Sequence, residues 1–172
     1  MSRRRILIAG IGNIFLGDDA FGVEVARQLA TRQLPDEVRV VDFGIRGFDL
    51  AYALLEGYET VIMVDAAPRG DVPGTLYLIE PQIPKGAAEI DTHAMDPVKV
   101  LRMASAIGGK LPHILLVGCE PAHEQPDMNM GISAAVQPAI GRAADLIESL
   151  VQSLVTSARH LEIAPSLDVN HA

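Results

Sequence analysis

Short runs of branched apolar residues alternate along the chain with segments in which apolar residues recur every three or four positions. The short runs predict five strands, at residues 4–11, 38–43, 60–66, 75–80 and 113–119. The segments of helical period predict helices at residues 20–33, 48–56, 97–107 and 133–156. Ser133 is the expected N-cap of the last helix, and Pro138 is expected to interrupt it. Strands and helices that alternate in this way are typical of a parallel sheet with helices on both faces. The sequence therefore predicts an α/β fold, a three-layer αβα sandwich with a mostly parallel, twisted sheet of about five strands.

The predicted elements fit within one domain. A chain of 172 residues is in the size range of single domains and buries enough surface to fold without disulfides or a structural metal. Residues 1–157 form the predicted domain, and residues 158–172, which have no sustained apolar period, are expected to form a flexible tail. The polar segment at residues 81–96, punctuated by proline and glycine, is expected to be a loop.

Composition and charge argue against several classes of partner. The chain carries 22 acidic and 14 basic side chains, a net charge of −8, and its basic cluster is the arginine triplet at residues 3–5. No nucleic-acid partner is therefore expected. No run reaches the roughly 20 apolar residues of a membrane span, so no membrane partner is expected either. The single cysteine, Cys119, cannot form an intramolecular disulfide and is interpreted as a small buried residue. We expect a cytoplasmic monomer.

The N-terminal residues also resemble an export signal, because three arginines precede an apolar run. Asn13, Asp18 and Asp19 interrupt that run. Cleavage after the small residues near position 22 would remove this loop, which is the most distinctive segment of the chain. We therefore interpret the run as the first strand.

Acidic residues occur at the points where the predicted strands end. These residues are Asp18, Asp19, Asp42, Asp65 and Glu120. Because the carboxyl ends of parallel strands share one edge of a sheet, we expect several of these carboxylates to converge there. His93, in the loop before the third helix, could reach the same edge.

Two kinds of ligand fit a glycine loop at this edge. Gly10 and Gly12, followed by an acid at the end of the second strand, imitate a dinucleotide fingerprint, but Phe15 occupies the third glycine position. A pyrophosphate would also be repelled by Asp18 and Asp19. A metal cation would instead relieve the repulsion between carboxylates, and a neutral imidazole would complete a mixed oxygen and nitrogen ligand set. Asp18 also fits a helix N-cap, and Asp19 fits a first-turn acid favoured by the helix dipole.

Six motifs occur in a characteristic order: ILIAGIGNIFLGDDAFG, VDFGIRG, VIMVDAA, PGTLYLIE, DTHAMDPVKVL and LLVGCEP. Their order and spacing resemble those of the hydrogenase maturation proteases, and the resemblance covers residues 4–155. The opening string G-x-G-N-x-x-x-x-D-[DE]-x-x-G is the most specific of the six. The resemblance implies an endopeptidase that removes the C-terminal extension of a [NiFe]-hydrogenase large-subunit precursor.

The resemblance also implies a set of site residues. The metal-contacting positions of the family fall on Asp19, Asp65 and His93, which would contact nickel supplied by the precursor, or another divalent metal in vitro. Asp42 is a further catalytic candidate, because it could accept the proton of the attacking water. Metal-assisted hydrolysis is favoured by the absence of an obvious serine or cysteine nucleophile.

One motif departs from the family pattern. The family usually has D-x-G-T after the second strand, whereas this chain has Asp42-Phe-Gly44-Ile45-Arg46 and lacks the threonine hydroxyl. If this loop faces the partner, the target hydrogenase differs from that of other members. Three alternatives stay open at this point: another metal-dependent peptidase, a metal-binding chaperone without proteolytic activity and a dinucleotide-binding module.

Overall fold

The computed structural model describes residues 5–82, 96–122 and 131–163, with side chains described to residue 160. Five strands and four helices lie within these residues. The strands are β1 (Ile6–Ile11), β2 (Val38–Gly44), β3 (Thr60–Ala66), β4 (Leu76–Ile79) and β5 (His113–Cys119). The helices are α1 (Phe21–Ala30), α2 (Gly47–Ala53), α3 (Pro97–Ile107) and α4 (Gln137–Ile163). These elements confirm the predicted alternation of strands and helices.

The strands form one sheet in the order β2-β1-β3-β5-β4. Pairing is parallel throughout except between β4 and β5, which are antiparallel. The carboxyl ends of β1, β2, β3 and β5 therefore lie along one edge, which we call the carboxyl edge of the sheet. The predicted mostly parallel sheet of five strands is confirmed.

Apolar side chains fill both faces of the sheet. Along β1, Ile6 and Ile8 face a cluster shared with α1 and α4, whereas Leu7, Ala9 and Ile11 face a cluster shared with α2 and α3. This alternation is the period of two that a strand imposes on its side chains. The helices thus cover both faces, which confirms the three-layer αβα sandwich.

Glycines allow α1 to begin close to the ends of β1 and β3. A Cβ atom on Gly22 would overlap the carbonyl oxygens of Val64 and Ile11, and one on Gly12 would overlap the carbonyl oxygen of Asp19. Gly12 also has a φ of 147°, which L-residues rarely adopt. The glycines of the opening motif therefore place the residues that follow β1 directly against the carboxyl edge.

The predicted start of the last helix is wrong. Ser133 precedes a turn, and α4 begins only at Gln137. The Ser133 hydroxyl donates to Oδ2 of Asp18. Pro138 does not interrupt α4, because it lies in the first turn, where the missing N–H has no intrahelical partner to lose.

The predicted end of the last helix is also wrong. We expected it near residue 156, but α4 continues to Ile163, so the predicted start of the flexible tail at residue 158 falls within a helix. Val155 is buried against the core, and Nη2 of Arg159 lies 3.0 Å from Oε1 of Glu37, just before β2. These tertiary contacts hold the last turns of α4 against the domain. Residues 164–172 lie outside the described residues.

Across the described residues, no helix is both long enough and apolar enough to cross a membrane.

Candidate active site

Asp19 lies in a 3₁₀ turn, Gly17–Ala20, between β1 and α1. The N–H of Gly12 donates to the carbonyl of Gly44 at 3.0 Å and ties this connection to the end of β2. The N–H of Asn13 donates to Oδ2 of Asp19 at 2.8 Å. The backbone that leaves β1 therefore fixes the Asp19 carboxylate in direction as well as in position.

Asp65 lies near the end of β3 and is 5% exposed. Its Oδ1 accepts one hydrogen bond, from the N–H of Ala66 at 2.8 Å. Burial raises the pKa of Asp65 well above its usual range, and the charges of Asp19 and Asp96 raise this pKa further. The structure thus places Asp19 close enough to Asp65 for its charge to act on this buried carboxyl group.

A pair of this kind favours a cation. The Asp65 carboxylate loses hydration on burial and faces the negative charge of Asp19, so its ionised form is costly without a positive partner. A divalent ion near both groups would stabilise both charges and lower the pKa of Asp65. The arrangement can therefore either hold a proton on Asp65 or share a metal between two carboxylates.

Asp42 lies at the same edge but in a more open environment. It pairs in register with Gly10, its side chain is 39% exposed, and its Oδ2 lies 3.9 Å from Nε of Arg27. Solvent and a nearby guanidinium can satisfy its charge without a metal. Its role as a proton acceptor stays a prediction.

His93 lies outside the described residues, so its predicted contact with a metal is untested. The described chain resumes at Asp96, whose Oδ1 accepts from the N–H of Val98 at 2.9 Å and caps α3. Within the described part of the chain, no group of three or more histidine, cysteine, aspartate and glutamate side chains could hold a metal ion. The set of Asp19, Asp65 and His93 therefore stays a prediction.

Asp18 is a buried anchor and not the helix N-cap that its position suggests. It is fully buried, and its side chain makes no capping bond to the 3₁₀ turn or to α1. Its Oδ1 accepts from the N–H of Ser133 at 2.7 Å, and its Oδ2 accepts from the Ser133 hydroxyl at 2.8 Å and the N–H of Ala122 at 2.9 Å. Asp18 thus ties the turn that carries Asp19 to the segments on both sides of residues 123–130.

Glu120 anchors the loop after β3 in a similar way. It is fully buried, and it accepts from the N–H groups of Arg69 and Gly70 and from the hydroxyl of Tyr77. The sequence placed Glu120 at the carboxyl edge but gave no indication of these bonds, because they join residues far apart along the chain. Cys119 beside it is buried as expected. Burial raises the pKa of its thiol to about 11, which is unfavourable for a nucleophile.

The family model for hydrogenase maturation proteases matches residues 23–150. This chain belongs to the hydrogenase maturation protease family. It is 30% identical over 179 aligned residues to the hydrogenase expression/formation protein HupD of Bradyrhizobium diazoefficiens, covering 98% of this chain and 92% of HupD. The resemblance carried by the six motifs is therefore confirmed.

Solved structures agree with this assignment. The maturating endopeptidase HybD from Escherichia coli has a TM-score of 0.69 and 26% identity, over 87% of this chain and 93% of HybD. A hydrogenase 2 maturation peptidase from Thaumarchaeota archaeon SCGC_AB-539-E09 has a TM-score of 0.63 and 30% identity, over 86% of this chain and 98% of its own. The protein is thus a peptidase with the fold of this family.

The loop that departs from the family pattern is closed by an arginine in this protease. Arg46 donates from Nη2 to the carbonyl of Asp42 at 2.6 Å and from Nη1 to Oδ2 of Asp49 at 3.3 Å. Its guanidinium carbon lies 5.7 Å from the ring centre of Phe43. Arg46 therefore braces the turn between β2 and α2.

Large apolar side chains are exposed on the two loops that surround the acidic residues. They are Phe15 and Leu16 before the 3₁₀ turn, and Ile45 and Phe48 after β2. The hydrogen bond between Gly12 and Gly44 joins the two loops at their bases. Exposed apolar groups of this size next to a polar site are typical of a surface that contacts another protein.

Proposed function

We propose that this maturation protease removes the C-terminal extension of a nickel-loaded [NiFe]-hydrogenase large-subunit precursor. The observation that carries the proposal is the pairing of buried Asp65 with Asp19 at the carboxyl edge. Family membership indicates that the reaction is peptide hydrolysis. The carboxylates of Asp19 and Asp65 would recognise the metal ion. A single cysteine is consistent with the reducing environment of the cytoplasm.

In this proposal the nickel ion belongs to the substrate. A precursor that presents nickel would offer Asp19 and Asp65 the positive charge that their arrangement lacks. A precursor without nickel would leave the two carboxylates repelling each other, so docking would be weaker. The same electrostatic preference would thus make processing depend on completed metal insertion.

His93 is proposed as the third contact. Two residues separate it from Asp96, so its Cα lies within about 11 Å of the Asp96 Cα by chain length alone. The charge of Asp96 raises the pKa of Asp65, so Asp96 lies near the buried carboxyl group. An imidazole would complete a ligand set of mixed oxygen and nitrogen donors that suits nickel.

The chemistry then requires an electrophile and a proton acceptor. Nickel in the substrate would polarise the scissile carbonyl or acidify the attacking water. Asp42 is the proposed proton acceptor, because it lies at the same edge and its side chain is open to solvent. Asp19 and Asp65 would keep the peptide in register with that group.

Incubation with a nickel-loaded precursor tests the proposal. We expect the purified protein to release a short C-terminal peptide, seen as a loss of mass in the intact precursor, and to leave nickel-free precursor uncut. A nickel-loaded precursor of the matching hydrogenase that keeps its full mass would contradict the proposal. Binding without cleavage would instead favour the metal-binding chaperone.

The exposed apolar loops lead to a second prediction, about substrate docking. Phe48 is 67% exposed, so Phe48→Ser should leave the melting temperature nearly unchanged while raising KM about tenfold, since burying a phenylalanine stabilises a contact by about 1.5–3 kcal/mol. Steady-state cleavage kinetics check this. Ile107→Ser is the matched control, because Ile107 is also exposed but ends α3 at the opposite edge. Equal KM values for the two variants would exclude the loop as a docking surface.

A further inference from the structure

Asp18 and Asp19 are adjacent in one short turn but have different surroundings. Successive side chains in a 3₁₀ turn point about 120° apart. Among the described residues, fully buried Asp18 accepts three hydrogen bonds from Ala122 and Ser133. Asp19 instead accepts from the N–H of Asn13. Fixing the direction of one side chain therefore restricts the direction of the other.

Apolar packing does not hold the residues just before this turn. Phe15 and Leu16 are 56% and 45% exposed, so the connection from β1 lacks a buried side chain until the turn itself. The three bonds to Asp18 attach the turn at this point. Their donors belong to the segments that follow β5 and precede α4, and both segments lie apart from the β1 loop in sequence.

We infer that Asp18 is a positioning residue, whose bonds to Ala122 and Ser133 hold the turn and thereby fix the direction of the Asp19 carboxylate. The part of this inference that concerns cleavage rests on the proposed function. Asp18 itself has no exposed surface and contacts no substrate. Its effect on the reaction passes through the direction of the Asp19 carboxylate.

The substitution Asp18→Asn tests this role. Asparagine has one acceptor oxygen, so its amide group would oppose the N–H of Ala122 and the turn would shift. We expect kcat to fall about 10- to 100-fold for the folded variant while KM changes less than about twofold, since small displacements of a reacting group have effects of this size. Ser133→Ala removes one bond and keeps both backbone donors, so it should lower kcat about threefold.

A second measurement does not depend on cleavage. The amide of Asn13 donates to Asp19, so its hydrogen exchange reports the orientation of that carboxylate. In Asp18→Asn we expect the protection of this amide to fall about tenfold relative to amides of β3. If the parent protein does not cleave the precursor, the proposed function fails, but this exchange measurement still decides the positioning role.

A variant with lost stability elsewhere serves as the control. Val155→Ala removes buried methyl groups from the far end of α4, and it should lower the melting temperature without changing kcat or the relative protection of Asn13. If Asp18→Asn does not fold, Ser133→Ala decides in its place. Unchanged kcat and unchanged protection of Asn13 in the folded variant would overturn the inference.

Discussion

The substitution Asp65→Asn is expected to abolish cleavage of the precursor and, at neutral pH, to make the folded protein more stable than the parent. The side chain keeps an oxygen for the N–H of Ala66, but it cannot carry the charge that would attract a metal. Burial and the charge of Asp19 raise the pKa of Asp65, so ionising this group destabilises the folded state. The variant has no such charge. Cleavage assays and thermal melts at several pH values measure the two effects.

The pH dependence of the stability difference has a definite sign. The pKa of Asp65 is higher in the folded protein than in the unfolded chain, so its contribution to stability is complete below the unfolded value of about 3.9. That contribution falls as the pH rises through the folded pKa, by about 1.4 kcal/mol for each pH unit between the two values. The parent should therefore lose stability relative to Asp65→Asn as the pH rises from 4.

Asp42→Asn provides the matched control for this experiment. Asp42 lies near the end of β2 at the same edge of the sheet, but its side chain is 39% exposed and its Oδ2 lies 3.9 Å from Nε of Arg27. The same substitution there should change the melting temperature less than Asp65→Asn does. Cleavage by Asp65→Asn at the parental rate would remove Asp65 from the site. A constant difference in melting temperature between pH 4 and pH 8 would contradict the assigned cause.

The fold could be predicted because its main signals are local in sequence. Each parallel strand is a short apolar run, and in β3 Asp65 directly follows the buried residues 61–64. The position of an acid after such a run predicts the carboxyl edge, since parallel strands end together. The same pattern predicts that several carboxylates, Asp19 and Asp65 among them, lie at this edge.

The roles of Asp18 and Glu120 could not be predicted in this way. Their hydrogen-bond partners are distant in sequence, and Ser133 lies 115 positions from Asp18. The local sequence predicts a helix N-cap at both Asp18 and Ser133, but in the structure the two side chains are hydrogen-bonded to each other. The end of α4 was missed for a similar reason, because Arg159 pairs with Glu37 across the fold. Local sequence patterns do not indicate contacts between residues so far apart along the chain.

Divalent ions are expected to raise the melting temperature of the parent protein. Ni²⁺, Zn²⁺ or Cd²⁺ shared by Asp19 and Asp65 would relieve the repulsion that raises the pKa of Asp65. At a hundredfold excess over Kd, binding to the folded state stabilises it by about 2.7 kcal/mol. For a chain of 172 residues this corresponds to an increase of about 5–10 °C.

Substitutions at the carboxyl edge locate the source of that shift. Asp19→Asn should abolish the increase, because the ion would lose one of the two paired carboxylates, whereas Asp42→Asn should retain it. Thermal melts with each ion, and with NAD in a separate series, distinguish a cation site from a dinucleotide site. A parent melting temperature that responds to none of the three ions would show that the free protein does not hold a metal there. An increase that Asp19→Asn loses and Asp42→Asn keeps would assign Asp19 to metal recognition, because the two variants remove the same charge near the ends of neighbouring strands.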